Sequence, residues 1–380
     1  MTVSLGVPRM HPPVDPSGRP AVPGLVDRYG RVATDLRVSL TDRCNLRCGY
    51  CMPPEGFDWL PGEQVLTDDE VIRLVRIAVE RLGVHEIRFT GGEPLLRKGL
   101  ERIVAATSEM RLPDGTAPET SLTSNALGLH LRARALAEAG LSRVNISLDS
   151  LDRATYAAMA RRDRLPDVLK GIAAAHEAGL RPVKLNAVIM RGQNEADAPR
   201  LLSYALAHGY ELRFIEQMPL GPKGEWERAG MVTAEEILGL LTEHFELTPA
   251  AEARGGSPAE LWRVAPGALP VIASGDLTFG TPDGPAADAP LPGGSVGVIA
   301  SVTRPFCGAC DRTRLTADGQ MRDCLFARGE TDLRGPLRAG ASDEDLAEIW
   351  RGGMWGKRAG HGIDDPGFLQ PDRPMSAIGG

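Results

Sequence analysis

Short strand-like runs alternate with amphipathic stretches along this chain, and from about residue 35 the alternation repeats six times. Residues 35–40 read as the first strand; the others are Glu86–Thr90, 120–123, 144–148, Val183–Ile189 and Glu211–Glu216. Between them the apolar residues take helical spacing. Thr67 with Glu70 three residues on forms a capping box, followed by Val71, Ile72, Val75, Val79 and Leu82, with Gly83 beyond as a cap. Another helix runs through Leu100 and Val104, others end at Gly140, Gly179 and Gly209, and a capped one runs from Thr233 to about Phe245. Strands alternating with helices of this length imply parallel pairing and right-handed crossovers. Six such units suit an open doubly wound sheet or an incomplete barrel, and periodicity does not separate the two. Beyond Thr248 the pattern dissolves into Gly/Pro-rich segments at 265–294 and short strand-like runs such as 295–302.

Composition narrows the function classes. The 380 residues carry 43 Lys+Arg against 50 Asp+Glu, a net charge of −7, with 42% hydrophobic residues. That excludes a disordered chain and a polybasic nucleic-acid binder. No run of ~18 apolar residues exists to span a membrane. The first thirty residues show no apolar signal region, so the expected compartment is the cytoplasm.

The six cysteines fall into two odd clusters, Cys44, Cys48 and Cys51, then Cys307, Cys310 and Cys324. Odd clusters without an export signal point to metal-ligating thiolates rather than disulfides. The first has C-x3-C-x2-C spacing on one tight loop after the first strand. Three thiolates there suit a cubane [4Fe–4S] cluster with one iron left open for chemistry. Gly91-Gly92-Glu93-Pro94 follows the second strand; its glycines let backbone approach a ligand closely, and Glu93 supplies a carboxylate at the strand end. The cysteine loop, this turn, Thr123-Ser124-Asn125, Ser147-Leu148-Asp149 and Glu216-Gln217-Met218 all fall at C-terminal strand ends. In parallel α/β folds those ends share the face where sites are built. At the second cluster, C-x2-C with a distant third cysteine leaves zinc and iron–sulfur both open. The adjoining Asp311-Arg312-Thr313-Arg314 sets two guanidiniums beside the cysteines, which suggests an anionic substrate.

The first cluster, with Tyr50 before its third cysteine, and the turn at 91–94 resemble the radical S-adenosylmethionine (SAM) superfamily. The two clusters in this order, Phe214-Ile215-Glu216-Gln217-Met218, the run 307–314 and the terminal Met375-Ser376-Ala377-Ile378-Gly379-Gly380 resemble one family within it, the GTP 3′,8-cyclases of molybdenum cofactor biosynthesis. That resemblance implies an incomplete six-stranded parallel (β/α) TIM-like barrel with a smaller irregular C-terminal cluster-binding domain. Residues 31–250 would be the barrel and 251–380 the C-terminal domain, while residues 1–30, rich in Pro and Gly, read from composition alone as a flexible extension. It implies two [4Fe–4S] clusters on the six cysteines, and SAM bound through Tyr50, Gly92, Ser147 and Met218. It implies GTP contacts at Arg37, Arg88, Thr123, Lys184, Arg312 and Arg314. It makes Arg312, Arg314, Gly379 and Gly380 catalytic, the glycines as a tail reaching into the site. Implied partners are a second copy of the chain, the cyclic pyranopterin monophosphate synthase as next enzyme, and an external electron donor. Two departures from the family pattern stand out. Ala126 replaces a usual glycine, which bears on any backbone contact needing positive φ there, and Gln217-Met218-Pro219 alters the loop after the sixth strand. The competing readings are a peptide-modifying radical SAM maturase and a non-catalytic zinc or iron–sulfur scaffold.

Overall fold

The computed structural model describes residues 3–4, 10, 14–271 and 289–379. Six parallel strands lie side by side in chain order: β1 (Asp35–Ser39), β2 (Glu86–Thr90), β3 (Glu119–Ser124), β4 (Arg143–Ser147), β5 (Val183–Ile189) and β6 (Glu211–Glu216). A doubly wound sheet reverses its strand order at a switch point. No reversal occurs here, so the sheet curls one way as an incomplete barrel. Gly380, much of the first thirteen residues and the 272–288 part of the Gly/Pro-rich stretch lie outside the described residues.

Helices α1 (Asp68–Glu80), α2 (Leu100–Ser108), α3 (Ala133–Glu138), α4 (Arg153–Ala160), α5 (Leu165–Glu177), α6 (Ala198–His208) and α7 (Ala234–Thr242) follow the strands. The expected capping box opens α1: the Thr67 hydroxyl accepts from the Glu70 N–H, and the Glu70 carboxylate accepts from the Thr67 N–H. Asp68, Asp69 and Glu70 also put negative charge at the positive end of the helix. Along β5, Val183, Leu185, Ala187 and Ile189 are buried, and Lys184, Asn186 and Val188 alternate with them. The buried set joins Leu36, Val38, Ile87, Phe89, Leu122, Ile146 and Phe214 in one core. The alternate residues turn to the barrel interior, where polar side chains can meet a ligand.

The stretch that reads as irregular in sequence supplies strands to both edges of this sheet. β7 (Leu247–Pro249), β8 (Glu260–Val264) and β9 (Gly294–Ile299) continue it from β6, with β9 parallel to β6 and β8 antiparallel to β9. β10 (Arg312–Leu315), β11 (Gln320–Arg322) and β12 (Thr331–Asp332) continue it from β1, with β10 parallel to β1. An incomplete barrel leaves two edges with unpaired backbone groups, and these additions cover both. The connection 300–311 therefore passes from one edge to the other. Three helices complete the chain: α8 (Arg334–Arg338), α9 (Asp343–Trp355) and α10 (Met375–Ile378). Helix α9 packs behind β10 through the buried Trp350, whose indole N–H donates to Thr313 Oγ1 at 3.0 Å. Among the described residues no helix is long and apolar enough to cross a membrane.

Candidate functional site

Cys44, Cys48 and Cys51 are free thiols on the loop after β1. Burial pushes Cys44 up to about 11 and Cys51 up to about 12, and it raises Cys48 as well. Thiols so placed ionise only with a metal to stabilise the thiolate. Two neighbours hold the loop by its backbone. The Gly92 N–H donates to Thr41 O at 2.7 Å and the Glu93 N–H to Arg43 O at 2.8 Å. The last carbonyls of α4 accept from the loop too, Ala160 O from Arg47 N–H at 3.1 Å and Met159 O from Gly49 N–H at 3.0 Å.

The glycines at 91 and 92 serve a closer purpose than the ligand approach the sequence suggests. A Cβ on Gly92 would stand 2.3 Å from Arg43 O and 2.4 Å from Asp42 O, and one on Gly91 would stand 2.4 Å from Thr41 O. The close approach is to the chain's own cysteine loop. Glu93 likewise turns inward. Its buried carboxylate accepts from Leu95 N–H at 2.9 Å, Ser124 Oγ–H at 2.8 Å and Asn125 N–H at 2.7 Å. Burial still pushes it up to about 7 against these donors. Asn125 in turn donates to Asn45 Oδ1 at 2.7 Å, linking the end of β3 to the cysteine loop. Ala126 adopts φ +62° with its side chain buried. The left-handed backbone is thus kept with alanine in place of glycine.

Inside the barrel a cavity of about 240 Å³, open to solvent at its mouth, gathers most of the remaining candidates. Tyr50, Ser147 and Met218 line it, as do Arg37, Arg88, Thr123, Arg312, Arg314, Cys307, Cys310 and Cys324. Register explains the cationic wall: Arg314, Arg37 and Arg88 sit directly opposite one another on β10, β1 and β2. Asp35 reaches one of this row, 3.8 Å from Arg37 Nη2, and also Arg312, 3.3 Å from its Nε. Burial, then the neighbouring guanidiniums, push Arg37 and Arg314 down to about 9, so both remain cations at neutral pH. Among the described residues, Arg37 Nε, Arg88 Nε and Arg312 Nη1 are buried without a hydrogen-bond partner. Crowded, partly unsatisfied cations are the signature of an anion site.

Two of the expected SAM and GTP contacts lie apart from this cavity lining, as do Cys44, Cys48, Cys51 and Gly379. The Lys184 ammonium pairs with Glu211 at 2.9 Å and does not line the cavity; Arg213, two residues along β6 from Glu211, does. Gly92 also stands outside the lining, behind the cysteine loop. Strand alternation could have found Arg213, since it shares a face with Ile215 on β6.

Tyr50 reaches from the first cysteine loop to Asp149, its hydroxyl donating to Oδ2 at 2.9 Å, while Val188 N–H donates to Oδ1 at 2.9 Å. Burial pushes Asp149 from 3.8 up to about 6. A carboxyl raised on folding adds stability that is complete below its unfolded pKa and disappears as pH rises through its folded one. The stability advantage of the metal-free wild type over Asp149→Asn is therefore expected to shrink between about pH 4 and 6, read by urea unfolding across that range. An advantage that grows with pH would reverse the assignment.

The second cysteine group sits on the 300–311 connection and the turn after β11. Burial raises Cys307 and pushes Cys324 up to about 11. For Cys310 burial acts the same way, but the Lys357 ammonium and the Arg312 guanidinium outweigh it and hold this thiol low. Buried Glu216 fixes the start of the connection, accepting from Val302 and Thr303 N–H, each at 2.9 Å, and from Ala234 N–H at 2.8 Å. Arg31 fixes its middle, donating to Cys307 O at 2.5 Å, Ala359 O at 2.8 Å and Arg358 O at 2.6 Å. Arg31 and Lys357 carry no local sequence signal; only the fold brings them to the cysteines.

The C-terminal segment is packed into the protein as far as Gly379. Arg373 grips Asp318 through two bonds of 2.9 and 2.7 Å, Ala377 and Ile378 are buried, and Gly379 adopts φ +82°. A Cβ on Gly379 would meet Thr90 Cγ2 at 2.8 Å, and its carbonyl accepts from Arg314. Gly379 thus lies at the ends of β1 and β2, against the cationic wall.

The donor chemistry suits iron–sulfur clusters, which are held by thiolates: each group supplies three thiols, the first on one loop and the second on the 300–311 connection and the turn after β11. Among the described residues no three His, Cys, Asp or Glu side chains are gathered as the ligands of a single ion.

Residues 38–205 match the profile of the Radical SAM superfamily, and residues 210–363 that of Molybdenum Cofactor Synthesis C. The chain is 59% identical over 356 residues to a GTP 3′,8-cyclase of Corynebacterium glutamicum, covering 94% of this chain and 89% of that one. It is 57% identical over 381 residues to a GTP 3′,8-cyclase of Mycobacterium sp. (strain KMS), covering 100% of both. A GTP 3′,8-cyclase of Streptomyces coelicolor is 58% identical over 357 residues, 94% of this chain and 96% of that one. Among solved structures, Streptococcus suis SuiB shares the fold with a TM-score of 0.52 at 15% identity, over 87% of this chain and 70% of that one.

Proposed function

This chain belongs to the GTP 3′,8-cyclase family of the radical SAM superfamily, and on that premise we propose that it converts GTP to (8S)-3′,8-cyclo-7,8-dihydroguanosine 5′-triphosphate, the first step of molybdenum cofactor biosynthesis. The observation that carries the reading is a single cavity lined by Tyr50 of one cysteine loop, by Cys307, Cys310 and Cys324, and by buried guanidiniums with unmade hydrogen bonds.

Cys44, Cys48 and Cys51 would hold a [4Fe–4S] cluster and Cys307, Cys310 and Cys324 a second. When bound, the first cluster with SAM would supply the one-electron chemistry for hydrogen abstraction, and a second cluster would supply Lewis-acidic iron at the guanine end of the cavity. The chain's own residues do the rest. Tyr50, Gly92, Ser147 and Met218 bind SAM, with Gly92 acting through the backbone that supports the cysteine loop. Arg37, Arg88, Thr123, Arg312 and Arg314 bind GTP, and the arginines neutralise its triphosphate. Lys184 joins them on exchanging Glu211 for phosphate. Fixing both nucleotides in one orientation converts an intermolecular reaction into an intramolecular one. Gly379 lies near the β1 and β2 strand ends, and the terminal glycine pair would act as a tail that limits water at the reacting atoms. An external donor supplies electrons, the protein works as a homodimer, and the product passes to the cyclic pyranopterin monophosphate synthase.

The test is an anaerobic assay of iron-reconstituted protein with SAM, a strong reductant and GTP, against ATP and no-nucleotide controls. GTP-dependent formation of both 5′-deoxyadenosine and the cyclised nucleotide is expected. Deoxyadenosine without cyclised nucleotide would turn the reading toward a peptide-modifying maturase. Neither product, from protein holding about eight irons, would remove the GTP assignment.

A further inference from the structure

Lys357 is a buried lysine whose ammonium faces a cysteine. It follows α9, whose buried Trp350 anchors the helix behind β10, and its side chain is only 3% exposed. The ammonium donates to Arg312 O at 2.9 Å, to Cys310 O at 3.3 Å and to Cys310 Sγ at 3.4 Å. All three donors of the group are thereby directed at the segment 310–312, and none of these bonds goes to a carboxylate. A buried cation with no carboxylate is expensive unless a negative charge answers it. Here the answering group is the Cys310 sulfur.

We propose that Lys357 is a positioning residue that tunes the second cluster and couples it to the GTP clamp; the proposal rests on the reading that Cys307, Cys310 and Cys324 hold a cluster. Two physical effects follow from one ammonium. A positive charge hydrogen-bonded to a ligating sulfur stabilises the more negative, reduced state of an iron–sulfur cluster, so it raises the potential of that cluster. The bonds to Cys310 O and Arg312 O also set the backbone between a cluster ligand and a guanidinium of the cationic wall. Arg312 is fixed from its own side, by Gly256 O at 2.7 Å and by the Phe306 ring, 4.7 Å away. Without Lys357, the segment would keep its pairing with β1 and the contacts of Asp35, Gly256 and Phe306, but lose the one group that bonds both the cluster ligand and the Arg312 carbonyl.

The experiment is an EPR-monitored redox titration of the fully reconstituted enzyme and of Lys357→Met and Lys357→Arg, with iron counted in each sample. In Lys357→Met the reduced-to-oxidised ratio of the second cluster at a fixed solution potential should fall about tenfold, equivalent to ~59 mV for one electron. The first cluster should be unmoved, and Lys357→Arg should stay near wild type because it keeps the charge. Should Lys357→Met lose the second cluster's iron, retention of that iron and its potential in Lys357→Arg would still support the charge at Cys310. An unchanged second-cluster potential in Lys357→Met with full iron would overturn the proposal, as would loss of iron in both variants. A wild type holding about four irons rather than about eight would instead strike the reading of the second cluster itself.

Discussion

Gly92→Ala is expected to give a folded protein with about four irons in place of about eight and no 5′-deoxyadenosine. The added methyl would lie 2.3 Å from Arg43 O and 2.4 Å from Asp42 O, and both obstacles are backbone. No side chain can swing aside, so the 41–43 segment must move by an ångström or more. That segment leads directly into Cys44, and the same strip carries the bonds from Gly92 and Glu93 N–H. Three thiolates must meet three corners of one rigid cluster, so displacement of the loop's entry loses the geometry for all of them. The second cysteine group hangs on Glu216, Arg31 and β10, remote from this strip in the hydrogen-bond network, and its iron should persist. Iron and sulfide analysis with circular dichroism reads the result. Full iron content and wild-type deoxyadenosine would show that the loop accommodates the methyl, and the packing argument would fail.

Arg314→Ala is expected to lower GTP turnover by roughly 100-fold or more, in line with the loss of one preorganised donor to developing charge. Both clusters should remain, because Arg314 touches neither cysteine loop through any hydrogen bond among the described residues. The residue does two things at once. Its guanidinium sits in the row with Arg37 and Arg88, and it donates to the Gly379 carbonyl. Removal therefore weakens the anion site and frees the end of the C-terminal segment. Deleting Gly379-Gly380 separates the two effects: the deletion should leave SAM binding and most GTP affinity while stopping cyclisation, whereas Arg314→Ala should also weaken GTP binding, by about 10-fold or more for a lost charged hydrogen bond. Calorimetric titration of the reconstituted proteins with GTP measures that difference. Loss of iron in Arg314→Ala would mean a structural role instead.

Local rules acted within short windows, and there the sequence was legible. Capping boxes at Thr67 and Thr233 and glycines after helices mark element ends because each depends on a few adjacent residues. The cysteine spacing and the turn at 91–94 are legible for the same reason. Arg37, Arg88, Arg312 and Arg314 could be singled out through family resemblance, and strand register explains why they meet. The purpose of Gly91, Gly92 and Glu93 was not legible, since their partners, Thr41 to Arg43 and Ser124 to Asn125, lie on other strand ends. Lys184 differs from its neighbours because Glu211, opposite it on β6, competes for its charge.

By itself the sequence determined the six strand–helix units, the two odd groups of thiols and the local charge beside the second. All of these arise from side-chain chemistry and backbone preference over a few residues. Only the tertiary structure decided that the sheet is an incomplete barrel, and that residues from 294 onward pair with both β6 and β1. It alone brought Lys357 to Cys310, Arg31 to Cys307 and Gly379 to Arg314, across separations of 47, 276 and 65 residues. Contacts of that range depend on how the strand edges are covered and which helix packs behind which strand. No local pattern carries that information, because the groups involved become neighbours only once the apolar faces are buried.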